Sequence, residues 1–330
     1  MIGPYSHRGG GRSVPKKDVL ANPVTRSQKA LCIALASAIV VAFFIPLPFR
    51  TPLWQTLFDA SHVVLFLVFT WLVLAVLPVR GRSRYAYAAL LSAIIAVGVE
   101  IIQPVFSRTT SWFDAVAALV GIALGVLGAF VWRRGREVRW RAAHAVVTVV
   151  LCAPIFWPVW QQVQALSWRA THFPILGDFE NEVEAELWAL TADTDGAKVR
   201  LATSSKWASR GKRSLEIRTR TATWAGVSFH AGGADWGAFK RLAIDVFNPG
   251  GPFQLNIRID DTLERRPYAE RFNRRIAVHQ GHNAITIDLA DIRKGPRDRE
   301  LNTKHIARVV LFTGRNEPGR VFFLDHMRLE

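Results

Sequence analysis

The sequence predicts an α-helical transmembrane bundle of five spans followed by an all-β jelly-roll sandwich. Three features predict it. Five apolar runs crowd into residues 30–160, each near the ~20 residues a helix needs to cross a bilayer. Beyond them the apolar period changes from helical to alternating. Charge also divides unevenly: residues 1–160 hold 16 Lys/Arg against five acids, whereas 161–330 hold 26 against 21, together giving the net charge of +16. A chain of 330 residues has room for about two domains, and the shift in pattern puts their boundary near Trp160.

The runs are Ala30–Leu47, Ser61–Pro78, Ala86–Val105, Trp112–Trp132 and Ala142–Trp160. They leave little amphipathic surface, which disfavours a soluble helical bundle. Positive residues cluster before the first run (Arg8, Arg12, Lys16, Lys17, Arg26, Lys29), between the second and third (Arg80, Arg82, Arg84), and between the fourth and fifth (Arg133, Arg134, Arg136, Arg139, Arg141). The opposite loops hold only Arg50 and Arg108. Short basic loops stay cytoplasmic, so the N-terminus is expected inside and the second half outside. Residues 1–29, with Gly9, Gly10 and Gly11, read as a disordered basic cytoplasmic tail. The first run reads as an uncleaved anchor, because the small-residue site Ala34-Leu35-Ala36 follows Lys29 too closely for a signal peptide. Cys32 and Cys152 lie within apolar runs and suggest neither a disulfide nor a zinc site. The positive charge is confined to short loops and a mixed surface, which excludes a nucleic-acid footprint.

Polar residues break the apolar runs in one zone. Asp59 and His62 lie at the outer end of the second run. Glu100 follows Ala86 by 14 residues, ~21 Å along a helix, in the outer third of the bilayer. Gln103 comes one turn later, Arg108 lies in the outer loop, and Asp114 opens the fourth run. An ionisable residue within a span is costly and marks a functional candidate. In the fourth run Asp114, Ala118, Gly121, Gly125 and Gly128 share one helical face. This small-residue stripe suits close helix packing, with the third span as the expected partner, bringing Glu100 towards Asp114.

The ordered string Asp59, His62, Glu100-x-x-Gln103, Arg108, Asp114, Gly121, Gly125 resembles the VanZ-like membrane proteins over residues 30–135. It departs at Ala60, where that family often has Lys, and at Ala118, where it has Asn. The resemblance implies a bacterial cell-envelope role, with a possible glycopeptide-resistance-type function.

Residues 161–174 read as a linker or short surface helix. From 175 to 330 the segments SLEIRTR, WAGVSFH, KRLAIDVFN, FQLNIRID, NAITIDLA, IARVVLFT and RVFFLDHMRL alternate apolar with polar residues. Turn signals at Asn248–Pro252 and Gln280–Asn283 punctuate them, predicting an antiparallel sandwich of eight or nine strands. Leu255, Ile257 and Ile259 should face the core, and Gln254, Asn256, Arg258 and Asp260 the other way. The run ERRPYAERFNRR (264–275) reads as a cationic loop or hairpin suited to an acidic glycan or phosphate, or to solvent. The segments DWGAFKRLAIDVFN, LNIRIDD, GHNAITIDLADI and VFFLDHMRL resemble galactose-binding-like jelly rolls, including many carbohydrate-binding modules. That resemblance implies glycan binding and allows a structural calcium without naming its ligands. Trp236, Arg258, Asp260, Tyr268 and Arg271 are the glycan-binding candidates, because an aromatic face stacks on a sugar ring and Arg or Asp binds its hydroxyls.

No P-loop, GxGxxG, GxSxG or HExxH motif occurs. The expected role is therefore a multi-pass bacterial inner-membrane protein that binds or helps handle an extracytoplasmic glycan or lipid-linked glycan, with no cofactor identified. The alternative is a membrane enzyme in which His62 with Glu100 or Asp114 serves as general acid and base while Arg108 holds an anion. A small transporter is the third reading. The oligomeric state stays open.

Overall fold

The computed structural model describes residues 25–45, 51–106, 111–133, 138–191, 199–220, 224–263, 268–314 and 318–330. Most of the expected tail, Arg50 and Arg108 lie outside them. The chain divides into two compact units, one built mainly of the first four helices and one of the start of the second helix, most of the fifth helix and two β-sheets.

The helices are α1 (Arg26–Ala42), α2 (Pro52–Val76), α3 (Ser83–Ile102), α4 (Trp112–Arg133) and α5 (Val138–His172). Local chemistry sets their starts. Thr25 and Gln28 close a reciprocal capping box on α1. Pro52 opens α2 at the position where its missing N–H costs nothing. Ser111 accepts a hydrogen bond from Phe113 N (3.1 Å) ahead of α4. Helices α2, α3 with its continuation to Phe106, α4 and α5 are long and apolar enough to cross a membrane. Helix α1, with 17 residues, is shorter. Leu90, Ile94, Ile101 and Leu119 point outward, a display of apolar side chains that suits lipid.

The small-residue stripe of α4 receives α2, not the third span expected from sequence. A methyl group at Gly121 would collide with the Val63 carbonyl, and at Gly125 it would lie 3.0 Å from Leu67 O. Trp71 Nε1 donates to Gly125 O (2.7 Å) across the same contact. Helix α3 also packs on α4. It meets α2 through Thr70 Oγ1 and Ser92 Oγ (3.2 Å), both fully buried. Gly128 is half-buried further along α4.

In the second unit α5 is 35 residues long, ~52 Å, and runs through the segment read as a linker. Its last turns dock on the sandwich: Ala165 and Trp168 join the core, Gln162 Nε2 donates to Glu186 O (2.9 Å), and Arg169 Nη1 donates to His230 O (2.8 Å). Eleven strands follow among the described residues: β1 (Ile175–Gly177), β2 (Trp188–Thr191), β3 (Val199–Ser204), β4 (Ser214–Thr219), β5 (Gly226–Ala234), β6 (Arg241–Asn248), β7 (Phe253–Asp261), β8 (Phe272–Val278), β9 (Gly281–Asp288), β10 (Ile306–Phe312) and β11 (Val321–Leu329). A short helix α6 (Leu289–Arg293) follows β9. One sheet has the order β3-β4-β11-β6-β9, with β1 also on β11, and the other β2-β5-β10-β7-β8. All pairs are antiparallel. Alternation puts Leu255, Ile257 and Ile259 in the core with Phe229, Leu311, Phe322 and Trp236. The seven alternating segments read from sequence contribute β4, β5, β6, β7, β9, β10 and β11. Strand β8 lies partly within the run read as a loop or hairpin, and β1–β3 add to the expected number.

Replacing Gly121 with Ala forces α2 and α4 apart, an overpacking cost of about 1–3 kcal/mol. The expected outcome is a lower melting temperature for G121A in detergent, while G98A, where a methyl group meets nothing within 4 Å, melts like the wild type.

Candidate functional site

Antiparallel register writes three rows across the outer face of the second sheet. In one, Val310 of β10 stands between Ser228 of β5 and Arg258 of β7, with Asn273 of β8 beyond. In the next, Phe312 stands between Gly226 and Asn256, with Arg275 beyond. In the third, Arg308 stands between His230 and Asp260. Two exposed aromatics border these rows. Trp224 meets Phe312 edge-on at 5.8 Å, and Tyr268 lies with the Arg271 guanidinium 5.7 Å over its ring. Together they enclose an open cleft of 660 Å³ lined by Trp224, Asn256, Arg258, Tyr268, Arg271, Asn273, Arg274, Arg275, Val310 and Phe312.

The polar lining is held from behind. Asp260 is 1% exposed and lies between two arginines, accepting from Arg258 Nε at 2.7 Å and pairing with Arg308. Such a carboxylate fixes guanidinium direction through charge-assisted bonds. Asn256 donates to Phe312 O (3.2 Å) and accepts from Arg275 Nε (3.4 Å). Arg274 crosses the Phe272 ring to reach Asp291 (2.7 Å). Burial, then the charges of Arg308 and Arg169, hold His230 below the ordinary histidine range. A methyl group at Gly226 would strike Leu311 O and Phe312 Cα on the neighbouring strand, so that row is bare beside Phe312.

Tyr268 is positioned by a second buried carboxylate. Asp261 accepts from Arg299 twice (2.6 and 2.9 Å), from Asn302 N (2.7 Å) and from Leu263 N (3.1 Å). Arg299 Nη2 donates onward to Glu270 O (2.8 Å), which ties down the turn Tyr268–Glu270. Burial alone would raise the Asp261 carboxyl; the arginine and backbone donors outweigh it and hold it below the usual aspartate range.

Of the sequence candidates, Arg258, Tyr268 and Arg271 line the cleft. Trp236 is fully enclosed in the core. Asp260 is on the cleft face but beneath its arginines. Asn273, Arg274 and Arg275 belong to the run 264–275 read as suited to an acidic glycan or phosphate, although they were not named singly; Trp224 and Asn256 were missed. Asn256 carried a signal, because it alternates with core residues on the strand that bears Arg258.

Among the helices, His62, Glu100 and Asp114 have ligand atoms within 4.8 Å of one another. His62 is buried, and its Nδ1 lies 3.1 Å from Asp59 O and 3.2 Å from Phe58 O. Carbonyls only accept, so Nδ1 carries a proton and donates it to them. Asp59 is half-buried. Gln103 is fully buried at the start of a 3₁₀ turn, and among the described residues neither of its amide atoms has a hydrogen-bond partner. In the sandwich, buried carboxylates are met by protein donors: Asp325 by Ser209 N, Ser209 Oγ and Arg210 N, and Glu184 by the N–H groups of Asp178, Phe179 and Asn181.

No protein-family model matches the sequence, and no curated protein matches it. Solved structures resemble the C-terminal part. A family 11 carbohydrate-binding module from Clostridium thermocellum, in complex with a β-1,3-1,4-mixed-linked tetrasaccharide, is 18% identical with a TM-score of 0.39, covering 47% of this chain and 93% of the module. The CBM22-1 xylan-binding domain of Paenibacillus barcinonensis Xyn10C is 17% identical with a TM-score of 0.32, covering 47% and 94%. A non-crystalline cellulose-specific module, CBM28, is 16% identical with a TM-score of 0.35, covering 48% and 93%. These likenesses concern the sandwich; the ligand of this chain has to be read from its own cleft.

Because the folded-state pKa of Asp261 is depressed, its contribution is complete above the ordinary aspartate value of about 3.9 and is lost as pH falls through the lower folded value. Asp261→Asn should destabilise the sandwich by about 3 kcal/mol at neutral pH. In circular-dichroism melts the gap between variant and wild type should narrow as pH falls below about 3.9.

Proposed function

We propose that this chain is a bacterial cell-envelope membrane protein whose sandwich binds an extracytoplasmic glycan, free or lipid-linked. The observation that carries the reading is the cleft: two exposed aromatic rings beside asparagine and arginine side chains whose directions are set by the protein. Aromatic faces receive the apolar side of a pyranose, and planar amide and guanidinium groups take its hydroxyls. The apolar helices supply the membrane anchor. In this reading they form five spans, with the N-terminus cytoplasmic by the placement of Lys and Arg and the sandwich outside. The VanZ-like string would add a glycopeptide-resistance-type role.

The test is titration of envelope polysaccharides into the full chain in detergent micelles. Trp224→Ala and Tyr268→Ala should each weaken binding about tenfold, the equivalent of 1.4 kcal/mol, with unchanged circular dichroism. Unaltered affinity in both variants removes the cleft from the mechanism.

A second reading has its own observation, the juxtaposition of His62, Glu100 and Asp114. With Nδ1 protonated, His62 presents Nε2 as a base, and a carboxylate nearby serves as its acid partner. This is a membrane enzyme acting on a phosphate or glycosidic linkage. Under it, Glu100→Gln abolishes turnover of a lipid-linked glycan in proteoliposomes while the melting temperature holds. Full turnover in that variant rules the chemistry out.

A further inference from the structure

The cleft lining is one-sided in charge. It contains Arg258, Arg271, Arg274 and Arg275 and, among the described residues, no Asp or Glu. The carboxylates around it are already paired. Asp260 is beneath Arg258 and Arg308, Asp291 of α6 meets Arg274, and Glu270, which follows Tyr268 in the same turn, lies 3.7 Å from Arg299 Nε.

A neutral sugar gains little from such a lining. Hydroxyl groups are satisfied by asparagine, and covering several guanidinium groups with an uncharged ligand strips their water without replacing it by charge. An anion reverses that balance. Guanidinium is a planar fork of donors that matches carboxylate and phosphate oxygens. Holding that fork from behind lowers the entropy lost when the ligand arrives. Arg258 is held by Asp260, Arg274 by Asp291 and Arg275 by Asn256. Arg258 and Arg275 also sit on paired strands in adjacent rows of one face. Strands lie ~4.8 Å apart and successive same-face residues ~6.8 Å apart, so these two side chains address neighbouring points on one ligand. The aromatics Trp224 and Tyr268 flank them.

We infer that the ligand is an anionic polysaccharide, one whose sugar units bear carboxylate or phosphate groups, stacked on Trp224 and Tyr268 with its charges on Arg258 and Arg275. This rests on the glycan reading above and narrows it to a substrate class. It also makes binding depend on salt, because each exposed ion pair formed is screened within about a Debye length.

The test is calorimetric titration of the detergent-solubilised full chain with three polymers: polygalacturonate for carboxylate, poly(glycerol phosphate) for phosphate, and mixed-linked β-glucan as a neutral chain. The expected result is binding of at least one anionic polymer at least tenfold tighter than the β-glucan. That binding should weaken at least fivefold between 50 and 500 mM salt, and preference between the two anionic polymers identifies the charged group. Because a chain of net charge +16 attracts any polyanion, charge-matched variants separate a site from adsorption. R275Q, on an edge strand of the cleft, should lose at least fivefold in affinity. R200Q, exposed on β3 of the other sheet, should lose none. Equal losses in the two variants overturn the inference. Equal or tighter binding of the neutral β-glucan overturns it while leaving glycan binding standing. No binding of any of the three polymers sinks both readings together.

Discussion

The arrangement of the cleft depends on one buried negative charge. Asp260 sits on the outward side of β7, yet only 1% of its surface reaches solvent. Removing a carboxylate from water costs several kcal/mol unless paired charges and hydrogen bonds replace the lost hydration. Arg258 and Arg308 supply them from the same strand and the next. The consequence is geometric. Two long side chains that would otherwise sample many rotamers are drawn to one point, and the row formed by His230, Arg308 and Asp260 becomes a closed base for the more open rows beside it. Burial, and then the charges of Arg308 and Arg169, lower the pKa of His230 and so oppose a further positive charge in that row.

Much of the architecture was legible in the residues. Period-two alternation identified seven strands, because burying one face of a sheet demands it. Strand β8 was harder: Phe272–Val278 carries two adjacent arginines, and an edge strand can expose residues on both sides. The short strands β1 and β2 had too few residues for any period to show. In the helices, the spacing of Gly121 and Gly125 revealed a surface meant for close approach but not what approaches it. The backbone of α2 fills that groove, a fact that depends on tertiary placement. The same limit applied to Trp236 and Asp260. An aromatic ring and a carboxylate are equally suited to a core or a ligand, and only the fold separates a ring sealed among aliphatic side chains from one such as Tyr268, which is 71% exposed.

The polar helix residues show a different relation between sequence and structure. Their order along the chain suggested convergence, and His62, Glu100 and Asp114 do meet. What the order did not contain was the direction of the imidazole, which is set by the carbonyls of Phe58 and Asp59 one turn earlier in the same helix. A local backbone contact thus determines which ring nitrogen is engaged within the helix itself.

Helix α5 has a mechanical consequence. Arg169 grips the carbonyl of His230 on β5, and the guanidinium fits there only because Gly232 has no side chain; a methyl group would come within 2.6 Å of it. Strand β5 is hydrogen-bonded to β10, and β10 to β7, which carries Arg258. A hydrogen-bonded path through one sheet therefore joins the cleft to the helix. It need not cross the apolar layer between the two sheets, so the cleft strands and the end of α5 are fixed to each other by directional bonds as well as by packing.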